Sequence, residues 1–371
     1  MNFLALIALV ISTQVLAAPK TVRVAGIYPN HTRGHLNCTC GLEAACITDA
    51  AIKRAQAAGV ALDFTPVNKD YDVFGTLAAS ERVVNQKFDV AVGTLVSADA
   101  LVASKVLEKA RIPFIVPTAT HPNVTAGKKF VTRIPFNDYR QAGLLARLSV
   151  TDLRANKIAV VRNASTPYSD FLGREFAVAA KKLAPGAEIR DYPIFEEFTK
   201  FSDLVDRILQ HKPDLLFVPL SQAQIASIYV ALANRGATLT VLSSDTVEKR
   251  PKFLEMMAPI SDDIRFIYPQ HWNGKFEGPE ASRYLSLHKK YCGQYEPSMT
   301  TMAAYDSIEL VIHALKQNPS ARGKELVQLI RSVPYHGMTG KIVYGVDGDP
   351  IKPIELYRVE GKDVVFWKRY E

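Results

Sequence analysis

The sequence has no GxGxxG, no GxxxxGK[ST], no GxSxG and no HExxH. The first two absences remove the glycine-rich loops that seat a dinucleotide or a nucleoside triphosphate. The last two remove the nucleophile elbow and the helix-borne zinc site of common hydrolases. Beyond the first twenty residues there is no apolar run of the ~20 residues that a membrane span needs. Low-complexity tracts and long charge runs are also absent. The net charge of +8 comes from scattered basic residues, such as the pairs Lys128-Lys129 and Lys181-Lys182, rather than from a basic stripe interleaved with aromatics. That distribution fits a solvated surface and gives no support to a nucleic-acid partner.

Cysteine is scarce: four in 371 residues, three of them in "NCTCGLEAAC" as Cys38, Cys40 and Cys46, and the fourth at Cys292. In an oxidising compartment one or two disulfides are expected, with the pairing left open. A metal site is the alternative, but CxxC and a matching histidine spacing are missing. No cofactor and no resident metal are implied. The cysteines and the nearby His31 and His35 lack a matched acid, so no catalytic pair is read there. Four N-x-S/T sequons, at Asn30, Asn37, Asn123 and Asn163, would matter only in a eukaryotic secretory pathway.

What is present begins with "MNFLALIALVISTQVLAAPK", apolar from Phe3 to Val10 and ending in small residues. It reads as a signal peptide over residues 1–18, cleaved after Ala17 or Ala18. Its n-region carries neither Lys nor Arg, so a buried strand or a retained anchor stays open. No cysteine follows the cleavage site, and a lipid-anchored form is not indicated. The rest, 48% hydrophobic and 22% charged, has an ordinary globular composition and is long enough for two domains.

Short apolar runs then alternate with amphipathic stretches. "TVRVAGIY", "VALDFTPV", "FDVAVG" and "IPFIV" read as strands, separated by helices through "EAACITDAAIKRAQAAG", Phe74 to Gln86 and "SADALVASKVLEKA". A second round follows "TRIPFNDYRQAG", with strands "KIAVV", Ile189 to Pro193, "PDLLFVP" and "LTVLSS". From about Tyr268 the pattern changes to helices and then to a strand-rich tail. This βα rhythm predicts an α/β chain with two Rossmann-like doubly wound lobes. A cleft between such lobes, at the carboxyl ends of the strands, is a natural small-molecule site. The stretch "PFIVPTATHPNVT" fits that place, because a buried strand runs straight into Thr118, Ala119 and Thr120.

These segments, in particular "FDVAVGTLVSADALVASKVLEKARIPFIVPTATHPNVT", "FVTRIPFNDYRQAGLLA", "KIAVVRNASTPYSDFLGREF", "PDLLFVPLS" and "AAYDSIELVIHAL", resemble in order and spacing the type I periplasmic solute-binding proteins of ABC importers. The similarity is to the branch that includes the leucine/isoleucine/valine-binding proteins and covers nearly the whole mature chain. It implies two lobes joined by a multi-strand hinge, one from residues 19–138 plus 270–345 and the other from 139–269 plus 346–371. It implies a non-catalytic, monomeric, periplasmic receptor that closes on an amino acid or similar solute and delivers it to an ABC permease. A periplasmic sensor of the same fold, signalling to a partner protein, is the alternative.

By the same resemblance, Ser97, Thr118, Ala119 and Thr120 would hold the ligand's carboxylate. Neutral hydroxyls and amides beside a helix amino terminus suit an anion. Tyr168 would wall the pocket, Asp245 would pair the ligand's ammonium, and Ser221 and Gln222 would line the second lobe. Each has a plainer reading: Ser97 and Asp245 as helix caps and Tyr168 as a surface aromatic. Two departures from the family pattern stand out. The first loop, "YPNHTRGHLNCTCG", carries Arg33, His35 and three cysteines where the family has small residues, which puts a branched-chain ligand in doubt and opens an acidic or polar one. The carboxylate turn reads "VP" where the family has "SP".

Overall fold

A computed structural model describes residues 20–29, 39–67, 72–247, 250–272, 274–345 and 347–371. The leader and the loop carrying Arg33, His35, Cys38 and the sequon asparagines Asn30 and Asn37 lie outside the described residues. Two sheets carry the chain. The first holds β1 (Val22–Ile27), β2 (Leu62–Pro66), β3 (Val90–Gly93), β4 (Phe114–Val116) and β5 (Val131–Arg133), all parallel, in the order β2-β1-β3-β4-β5. The second holds β6 (Lys157–Asn163), β7 (Glu188–Ile194), β8 (Leu215–Val218), β9 (Leu239–Ser243) and β10 (Ile264–Gln270). They are parallel in the order β10-β9-β8-β6-β7. The expected pair of doubly wound α/β lobes is what the chain forms.

Both faces of each sheet are covered, which is why the strands read as unbroken apolar runs rather than alternating ones. Side chains still alternate in direction. Val90 and Val92 point to the core under α1 (Cys40–Ala57), α9 (Gly278–Tyr291), α10 (Met299–Gln317) and α11 (Gly323–Ser332). Ala91 points to the opposite core, with Phe114, under α2 (Val73–Asn85) and α3 (Ser97–Ala110). In the second lobe Ile158 and Val160 face α4 (Asp138–Arg147) and α5 (Pro167–Leu183). Ala159 and Val161 face α6 (Phe201–Gln210), α7 (Gln222–Ala233) and α8 (Arg250–Met256). The alanines on α1, among them Ala44, Ala51 and Ala55, are fully buried and let it lie close to α10.

After β10 the chain returns to the first lobe for α9, α10, α11 and a hairpin of β11 (Tyr335–Gly337) and β12 (Gly340–Ile342). It then adds β13 (Ile354–Glu360) and β14 (Asp363–Tyr370) antiparallel to the second sheet. Among the described residues the chain therefore passes between the lobes three times: from β5 to α4, from β10 to α9 and from β12 to β13. The strands next to these passages are β5 and β10, so β2 and β7, at the far edges, lie away from the hinge.

Cys46 on α1 is joined to Cys292, which follows the last turn of α9, across 246 residues of sequence. Cys40 is also disulfide-bonded. The Cys46 bond takes that thiol out of the metal reading of the cysteine loop. Replacing Cys46 and Cys292 together by serine is expected to lower unfolding stability by about 2–4 kcal/mol through a less restricted unfolded chain. Denaturant melts of the oxidised protein and the double variant measure this, and equal midpoints would show that the bridge contributes nothing.

Candidate functional site

The site is built where strands of both sheets end. Strand β3 closes at Gly93, whose φ is +128° and where a Cβ would lie 2.3 Å from the Ile27 carbonyl oxygen, so only glycine fits. The chain then turns into α3 at Ser97. Strand β4 ends in the turn that carries Thr118, Ala119 and Thr120. The Thr118 hydroxyl donates to the Leu95 carbonyl at 2.6 Å, and Ser97 Oγ accepts from the His121 amide at 3.3 Å, so the two strand ends are tied to each other.

From behind, the fully buried Arg133 donates to the carbonyls of Ala119 (3.1 Å), His121 (3.0 Å) and Pro122 (3.2 Å) and to the Thr125 hydroxyl (2.6 Å). Its Nε lies 2.7 Å from Asp349 Oδ1, an ion pair between the first lobe and the last interlobe passage. The shape of the threonine turn is thus fixed by a buried cation whose charge is answered at the hinge rather than in the cleft.

The second lobe contributes a carboxylate cluster. Asp245, just past β9, accepts at Oδ1 from the Tyr168 hydroxyl (2.6 Å) and from Gln141 Nε2 (2.9 Å), and its amide donates to Gln141 Oε1 (3.1 Å). Its Oδ2 lies 2.8 Å from Nε2 of His271, a residue just past β10 whose ring packs at a tilt against Phe136, 3.8 Å between centroids. Gln141 Nε2 also reaches Asp138 Oδ1 at 3.2 Å, and the Asp138 amide donates to the Thr120 carbonyl at 3.0 Å. One hydrogen-bonded chain therefore runs from Thr120 through Asp138 and Gln141 to Asp245, Tyr168 and His271. The lobes also meet through aromatic rings, with Phe171 lying 4.8 Å from His121 across the lobes and 5.0 Å from Tyr139 within the second.

The electrostatics follow from this arrangement. Burial works to raise the Asp245 carboxyl, but the hydrogen bonds of His271, Tyr168 and Gln141 outweigh it and hold the group below the ordinary carboxylate range. Burial lowers His271 despite Asp245 beside it, so a neutral ring donates through Nε2. Burial raises Asp138 well above the ordinary range, and the Asp245 charge raises it further, against Thr120, Arg133 and Gln141. Of the two carboxyls, the surroundings therefore favour ionisation of Asp245 over that of Asp138. Three buried polar atoms here have no hydrogen-bond partner: Thr94 Oγ1, Asp138 Oδ2 and His271 Nδ1.

The structure brings together Ser97, Thr118, Ala119 and Thr120 on one side and Tyr168 and Asp245 on the other. Ser97 is the first residue of α3, Val96 is the N-cap and no side chain caps that end, so the capping role does not apply to Ser97. The helix after Asp245 begins at Arg250, and the Asp245 carboxyl is engaged by Tyr168, Gln141 and His271 instead of capping it. Tyr168 is half-buried against that carboxyl and is not a free surface aromatic. Ser221 is the N-cap of α7 in a capping box with Gln224, and Gln222 is the first residue of that helix. The hydrogen bonds of Ser221 serve the helix, not the carboxylate cluster.

Sequence reasoning assigned no role to Asp138, Gln141 and His271. The first two were visible as an i, i+3 polar pair in "NDYRQ" after a strand, a spacing that puts both on one helix face. His271 carried no signal, because its partner Asp245 is reached only when β9 and β10 pair. Among the described residues no group of histidine, cysteine and carboxylate side chains is arranged to hold a metal ion. No helix there is long and apolar enough to cross a membrane.

Residues 21–363 match the profile of a family described as periplasmic binding protein. An amino acid binding protein of Pseudomonas aeruginosa is 22% identical over 288 residues, covering 74% of this chain and 72% of its own length. Among solved structures, a leucine binding protein, LivK, of Thermotoga maritima superposes with a TM-score of 0.80 at 22% identity, covering 94% of this chain and 98% of that one. A solute binding protein of an ABC transporter from R. palustris, solved with 4-hydroxybenzoate, gives 0.80 at 17% identity over 95% and 97%. These proteins are non-catalytic solute binders, and the match over nearly the full length of both lobes means that the chain belongs to the periplasmic binding protein family.

Proposed function

We propose that this protein is the periplasmic receptor of an ABC importer and that its cleft closes on an amino acid or a close relative of one. The observation that carries the reading is Asp245, an ionised, nearly buried carboxylate at the end of β9. A buried carboxylate of this kind favours a cation, and the ammonium of a zwitterion supplies one. Relatives named as amino acid and leucine binders agree with it. A ligand such as 4-hydroxybenzoate, found with one structural neighbour, carries no amine to place against Asp245.

The carboxylate end of the ligand falls to the first lobe. The Thr118 proton is committed to the Leu95 carbonyl, while Ser97 Oγ accepts from His121 and keeps its own proton to donate. Ser97, the Thr120 hydroxyl, the backbone amides of the turn and the amino terminus of α3 are therefore the anion's donors. Export through the leader over residues 1–18, a monomeric state and delivery to a permease complete the proposal.

A thermal-shift screen of the common L-amino acids, their amides and small aromatic acids tests it, since a ligand of the folded state raises Tm. Amino acids should raise Tm, and Ser97→Ala should weaken the best of them by about 1–3 kcal/mol. Binding of aromatic acids alone would overturn the amino-acid reading.

A further inference from the structure

Asp138 opens α4 and is wholly buried. Its Oδ1 accepts from Gln141, its amide donates to the Thr120 carbonyl, and its Oδ2 has no partner. A buried carboxyl oxygen left in that state is costly unless something else meets it. Arg133, the protein cation bearing on it, is held by Asp349 and by three carbonyls of the threonine turn. The other carboxylate of the cluster, Asp245, shares the Gln141 amide with it. Two carboxyls thus flank one neutral amide beside the threonine turn, and among the described residues no cation lies between them.

We infer that Asp138 is a second acidic ligand of the cleft, forming with Asp245 a two-carboxylate seat for a protonated primary amine. This rests on the amine-bearing ligand proposed above and adds a residue and a proton to it. Burial and the Asp245 charge keep a proton on Asp138 in the absence of another cation. An incoming ammonium replaces that proton. Asp138 releases it to solvent, no covalent bond to the ligand forms or breaks, and the net charge of the seat is unchanged. The charged groups bearing on Asp138 are Asp245 and Arg133, and Tyr168 and His271 face the pair in neutral form. Because the bound state holds fewer protons, affinity rises with pH until Asp138 is ionised without ligand.

Calorimetry decides this, using the common L-amino acid that raises Tm most and its des-amino analogue, each titrated at neutral pH into phosphate and Tris buffers. The wild-type protein should release about one proton per amino acid bound and none with the analogue. Asp138→Asn should abolish the release and weaken the amino acid about 30-fold or more, with little change for the analogue. An amino acid bound without proton release would show that Asp138 only braces Thr120 and Gln141, and would leave the receptor reading intact. If no amino acid raises Tm, both readings fall. Should the asparagine variant not fold, the proton count of the wild-type protein decides alone.

Discussion

Asp245→Asn is expected to weaken an amino-acid ligand by about 2–5 kcal/mol, the cost of removing one partner of a desolvated charge pair, while the second lobe stays folded. The fold should tolerate the change because each contact has a substitute. An asparagine Oδ1 can still accept from Tyr168 and Gln141, and its amide can donate to His271 Nε2 if the proton moves to Nδ1, an atom that has no partner now. What is lost is charge alone. The decisive measurement uses the parent and the variant, each with the amino acid and its des-amino analogue. Loss of the amine should cost much affinity in the parent and little in the variant, a coupling that a merely structural aspartate would not produce. Independent, additive losses would move the ligand away from amino acids.

The largest effect on stability is expected at the hinge. Asp349 receives Arg133, the Thr125 hydroxyl and the Asn137 amide, and so ties the last interlobe passage to the first. Tyr344 adds a hydrogen bond to the Arg133 carbonyl at 2.9 Å, and the Arg133 amide reaches the Gly348 carbonyl at 2.9 Å. Asp349→Ala would leave the wholly buried Arg133 without its counter-ion and is expected to cost about 3–5 kcal/mol. Arg133 also positions Ala119 and His121, so ligand affinity should fall with stability. Denaturant melts and calorimetry on the variant check both. A loss of less than about 1 kcal/mol, the range of an exposed pair, would show that the hinge pair is not buried in solution.

The strands and helices were legible because each is a local statement. A parallel strand covered on both faces must be apolar along its length, as in "FDVAVG" and "PDLLFVP", and a surface helix must carry its apolar residues with helical period. The threonine turn, Tyr168 and Asp245 were reachable through motifs at strand ends, where open α/β sheets bind ligands. Their partners were not. Gln141 and Asp245 are 104 residues apart, and His271 meets Asp245 only through the pairing of β9 with β10. That the Thr118 proton is spent on the Leu95 carbonyl was likewise beyond the sequence, which lists hydroxyls but not the direction of their protons.

By itself, then, the sequence determined the alternation of elements and the two-lobed architecture, both of which depend on spacing and hydrophobicity along the chain. Only the tertiary structure decided that Cys46 pairs with Cys292, that Arg133 is answered by Asp349 at the hinge, and that Asp138 and Asp245 share one glutamine. These are contacts between residues far apart in the chain, and no local pattern encodes them. They form because packing two sheets around three interlobe passages brings strand ends and passages into one buried volume, where every charge must find a partner or lose its ionisation.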